Sequence, residues 1–62
     1  MRLENWEATM QEIVDECSRG QTTTGKVLIE WRVRLEQEPT NLQPFQIDQI
    51  VREVRRRLGV NS

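Results

Sequence analysis

Residues 26–37 read KVLIEWRVRLEQ, and the fold turns on how they are wound. Val27, Ile29, Trp31, Val33 and Leu35 alternate with mostly charged neighbours, and only Leu28 breaks the period of two. β-Branched and aromatic residues in that alternation describe a strand with one buried face. Wound as a helix at about 100° per residue, the same stretch places Val27, Leu28, Trp31 and Leu35 on one face. Ile29 and Val33 then fall on the opposite face, and Glu30 and Arg34 become an i,i+4 pair with the acid N-terminal, the favoured order.

The rest of the chain arbitrates. A strand needs a partner, and no other stretch carries a strand pattern. A strand at 26–36 would therefore have to pair across a dimer, whereas a helix asks for nothing extra. The expectation is an all-α fold, a small domain of three short helices. Helix–strand–helix, with residues 26–36 paired between two chains, is the alternative. As a helix, the segment has a second apolar face that suits the central member of three packed helices. If the third helix leaves that face uncovered, Ile29 and Val33 become a contact site. Both branches point to self-association, so a homodimer is expected.

The flanks are plainer. Residues 5–19, NWEATMQEIVDECSR, carry Trp6, Met10, Ile13, Val14 and Cys17 at i, i+4, i+7, i+8 and i+11, one helical stripe. Asn5 is placed to cap that helix, and Gly20 stands where a C-terminus favours positive φ. Residues 44–58, PFQIDQIVREVRRRL, repeat the pattern with Ile47, Ile50, Val51, Val54 and Leu58. Pro44 fits the first helical position and Gly59 the stop. Asp48/Arg52 and Glu53/Arg57 have the spacing of i,i+4 ion pairs. Residues 38–43, EPTNLQ, form a turn behind Pro39.

The chain has 62 residues, one cysteine and no histidine. That is at most one domain, with no internal disulfide and no side-chain set for a structural zinc. Packing or oligomerisation must hold it. The expected core is Leu3, Trp6, Met10, Ile13, Val14, Val27, Leu28, Ile29, Trp31, Val33, Leu35, Leu42, Phe45, Ile47, Ile50, Val51, Val54 and Leu58. Net charge is −1, which exerts no global pull on nucleic acid or anionic lipid. Acids dominate residues 1–20 and arginines residues 44–62, so the first and last segments should attract each other. No apolar run is long enough to cross a membrane. Residues 1–10 lack the apolar core of a signal peptide, and a lone thiol suits a reducing compartment, so a cytoplasmic location is expected.

One stretch matches a chemical motif. Residues 20–27, GQTTTGKV, have the G-x-x-x-x-G-K spacing and resemble the phosphate-binding loop of nucleotide-hydrolysing enzymes over seven residues. That loop needs a hydroxyl after the lysine to hold Mg²⁺ and a buried strand leading in. Here Val27 follows Lys26, and the residues before Gly20 have helical periodicity. The reading is a turn in which Thr22, Thr23 or Thr24 caps the next helix, and no cofactor is expected.

No residue pattern points to an enzyme. Histidine is absent, and Cys17 lies on an apolar stripe, where cysteine packs rather than reacts. The expected role is a small protein–protein interaction module with an unspecified protein partner, its interface at Ile29 and Val33. The alternative is a small DNA-binding regulator. Three helices with a basic last one resemble the helix-turn-helix architecture in outline, and Arg52, Arg55 and Arg56 project away from the apolar stripe as the nucleic-acid contacts. The near-zero net charge weighs against that alternative.

Overall fold

The computed structural model describes residues 2–20 and 22–59. A 3₁₀ turn at Leu3–Trp6 leads into α1 (Glu7–Ser18), followed by α2 (Thr24–Glu36) and α3 (Pro44–Leu58). No strand occurs among the described residues. The middle segment is α2, so the all-α expectation holds and the strand paired across a dimer does not.

Each helix exists because one face of it is apolar. Met10, Ile13 and Cys17 are buried from α1, Val27, Leu28, Trp31 and Leu35 from α2, and Ile47, Ile50, Val51 and Val54 from α3. Leu3, Trp6, Val14, Leu42 and Leu58 pack around this cluster as half-buried neighbours. Every helix touches the other two. That arrangement corrects the core expected from sequence. In a three-way bundle each helix needs one stripe, so the second face of α2 is left outside. Ile29 is 64% exposed and Val33 47%. Phe45, also expected inside, is 62% exposed, because it lies on the first turn of α3 well away from the Ile47–Ile50–Val54 stripe.

The helix ends show where local chemistry acts. Asn5 does not cap α1: it sits inside the 3₁₀ turn, donates its N–H to the Arg2 carbonyl, and Trp6 occupies the cap position. Of the three threonines, Thr23 is the cap of α2. Its hydroxyl accepts from the Lys26 N–H at 3.3 Å, a contact of the kind that contributes about 1 kcal/mol. At α3, Gln46 Oε1 reaches back to accept from the Gln43 N–H at 2.9 Å, and Pro44 stands in the first turn. Gly20 and Gly59 take φ of +73° and +76° where α1 and α3 end, the left-handed conformation that other residues adopt only with strain.

Ion pairs tie the bundle across helices as well as along them. Arg57 reaches Glu7 on α1 at 2.5 and 2.7 Å and Glu53 on its own helix at 3.0 Å. This is the attraction expected between the acidic first segment and the basic last one. Asp48 departs from expectation: it pairs with Arg32 of α2 at 2.7 Å rather than with Arg52. Glu30 and Arg34 do not pair, and Arg34 instead lies over the Trp31 ring, 4.9 Å from its centroid. The Trp31 indole N–H donates to Glu16 of α1, so the one polar atom of that buried ring is satisfied.

Two isoleucines separate core from surface. Ile13→Val removes a methyl group from a fully buried site and should cost about 1 kcal/mol in chemical denaturation. The identical change at exposed Ile29 should shift stability by less than about 0.5 kcal/mol. Equal losses at both positions would contradict the packing described.

Candidate interaction surfaces

Two surfaces stand out from the ordinary solvated exterior. The first is the outer face of α2. Ile29 and Val33 are one turn apart at i,i+4, and the buried face of the same helix holds Val27, Leu28, Trp31 and Leu35 on its far side. Helical winding thus decides their exposure: no rotation of α2 could bury both faces against α1 and α3 alone. Arg32 borders this strip and bridges to Asp48. Phe45 lies three residues before Asp48, so the bridge joins the two helix edges that carry the exposed apolar groups. Both partners are about half-exposed, 44% and 54%, and such a pair contributes only about 0.2–1 kcal/mol.

The second surface is the basic side of α3. Arg52, Arg55 and Arg56 were expected to stand together as nucleic-acid contacts, and the structure separates their states. Arg56 is held by Glu53 through two hydrogen bonds, at 2.9 and 2.6 Å. Arg52 and Arg55 have no carboxylate within ion-pair distance among the described residues. A shallow groove of about 280 Å³ runs between Leu3 and α3, lined by Gln49, Arg52, Glu53 and Arg56. Its wall mixes cations with an anion, so it presents no uniform positive field.

Glu53 is the electrostatic centre of that side. The Arg56 and Arg57 guanidinium groups hydrogen-bond to its carboxylate and hold its pKa down at about 2, from an ordinary 4.5. The Arg57 hydrogen bond lowers Glu7 in the same direction. Sequence spacing anticipated the Glu53–Arg57 contact. The bridge from Arg57 to Glu7 spans the chain, and only the segmental charge contrast hinted at it.

The remaining residues singled out by sequence have the following surroundings. The Cys17 thiol is buried at the α1–α2 contact and is pushed up by that burial, so it is held away from its reactive thiolate form. Gly25 and Lys26 lie in the first turn of α2, and α1, not a strand, precedes them. The Lys26 N–H and Val27 N–H, which a phosphate loop would point at a ligand, are turned onto Thr23. Among the described residues no group of three acidic, cysteine or histidine side chains is placed to hold a metal ion. Nor is any helix among them long and apolar enough to cross a membrane.

No family model matches the chain, and no curated protein or solved structure matches it significantly.

The Glu53 contacts make a pH prediction whose sign follows from linkage. A carboxylate depressed in the folded state stabilises above its unfolded pKa, and that contribution is lost as pH falls through the folded value. Melting temperature should therefore decline on acidification from about pH 4.5 toward pH 2, the interval between the ordinary and the held value of Glu53. Glu53→Gln should flatten part of that decline while lowering the melting temperature at neutral pH. An unchanged pH profile in the variant would mean that Arg56 and Arg57 do not hold Glu53 in solution.

Proposed function

We propose that this chain is a non-enzymatic protein–protein interaction module that docks through the outer face of α2. The observation that carries the reading is the exposure of Ile29 and Val33, side by side on a helix whose other face already closes the core. A small domain has every reason to bury apolar groups. Two adjacent β-branched residues kept in water on a well-formed helix are best understood as a face awaiting a partner. The absence of histidine and the burial of the lone thiol support a role without catalysis, and a cytoplasmic setting fits a chain whose cysteine stays free.

A photo-crosslinking residue at position 29 in the native cells should give discrete protein adducts. The same residue at the exposed Glu12 position of α1 should give few, and Val33→Asp should abolish those at position 29. Equal yields from both positions, or none from position 29, would overturn the reading.

A second reading, binding of duplex DNA by α3, draws on Arg52 and Arg55 standing without an acidic partner among the described residues. Its expected sign is binding at low salt that weakens steadily as salt rises and is lost in Arg52→Glu/Arg55→Glu. No binding at low salt removes it.

A further inference from the structure

We infer that the partner of the α2 face is a second copy of this chain, docked with the two α2 helices antiparallel. This inference rests on the interaction-module reading and names its occupant.

Two charges of α2, one at each end, stand against its own dipole. An α-helix favours anions in its first turn and cations in its last. The first turn of α2 has no acid and carries Lys26, and Glu36 is its final residue. Neither forms an ion pair with any side chain among the described residues. Both lie on the outer side of the helix, exposed, with Lys26 three residues before Ile29 and Glu36 three residues after Val33. Arg34 in the last turn does suit the dipole, and Glu30 and Arg32 stand four residues from Lys26 and Glu36 on the same helix, but Lys26 and Glu36 themselves bracket the exposed apolar strip with opposite charges free to meet a contact.

A two-fold axis explains the arrangement. The strip is centred on position 31, so an antiparallel copy brings residue i level with residue 62 − i of its partner. Ile29 then faces Val33 of the partner, and Val33 faces Ile29. Lys26 comes level with the opposite Glu36 at one end, and Glu36 with the opposite Lys26 at the other, within the reach of these long side chains. A parallel pair would instead place Lys26 beside Lys26 and Glu36 beside Glu36, so the charges select the antiparallel arrangement. The same face serving both copies is what a closed two-fold interface requires. With α2 only 13 residues long, the contact lies at the low end of interface sizes, below about 1,200 Å², and the dimer is weak and concentration-dependent.

Sedimentation equilibrium of the full chain at low salt tests the inference by charge exchange. The unmodified protein should reach a monomer–dimer equilibrium below millimolar concentration. Lys26→Glu and Glu36→Lys should each weaken dimerisation roughly tenfold, because each sets like charges together at two symmetric places. Combining the two should restore the affinity to within about threefold of the original, since the residues act on each other rather than independently. Each reversal suits the α2 dipole but sets a like charge four residues from Glu30 or Arg32; the double variant keeps both of those repulsions, so its restored affinity separates contacts between copies from helix stability. A chain that stays monomeric to millimolar concentration, single variants that associate as well as the original, or a double variant no better than the singles would each overturn the pairing. A monomeric protein that still crosslinks selectively from position 29 would leave the interaction-module reading standing with another partner, whereas loss of both signals removes both.

Discussion

The apolar meeting of three helices is the contact on which the rest of the described structure depends. Met10, Ile13, Ile50 and Val54 sit at that meeting and are almost wholly withdrawn from water. Everything else follows from the geometry of the contact. A helix in mutual contact with two others can offer them one stripe, and each helix here has one stripe committed to the core. Apolar residues in excess of that stripe have nowhere to go within the chain. The exposed strip on α2 is therefore a consequence of core closure, and its location is set by the winding of the helix.

Polar interactions then refine a bundle that apolar burial has already assembled. The Trp31 indole, whose ring belongs to the core, finds Glu16 across the α1–α2 contact, so burial of the ring leaves no orphaned donor. Arg57 joins the start of α1 to the end of α3 through Glu7 while sharing Glu53 with Arg56. A shared carboxylate orders two guanidinium groups at once. Arg56 and Arg57 thus meet a carboxylate, while Arg52 and Arg55 have none within ion-pair distance among the described residues. Two of the arginines of the last helix also serve the ion pairs that join α3 to itself and to α1.

The outer face of α2 carries a different kind of pattern. Its apolar pair lies between a lysine at the positive end of the helix dipole and a glutamate at the negative end. Both charges stand against the helix dipole. The proposed self-docking would give that order, and the apolar strip between the two charges, one physical reason. The near-miss with a phosphate loop belongs to the turn itself: Lys26 follows Gly25 in the first turn of a helix capped by Thr23, where its side chain is exposed.

The periodicity of the sequence determined α1 and α3 with their stripes, the glycine stops and the Glu53–Arg57 pair, because each depends on residues within a turn or two of one another. The Val27–Leu28–Trp31–Leu35 face of α2 was legible in the same way once the lack of any second strand pattern had excluded pairing within the chain. The tertiary structure alone decided what lies further apart. It placed Ile29, Val33 and Phe45 outside, gave Asp48 to Arg32 instead of Arg52, turned Arg34 onto Trp31, and replaced an Asn5 cap with a 3₁₀ turn. Apolarity says that a residue gains by burial, but which of two apolar faces is buried depends on where the neighbouring helices stand. Charge spacing says which partner is near along a helix, while the partner actually taken is whichever opposite charge the packing of the bundle brings closer.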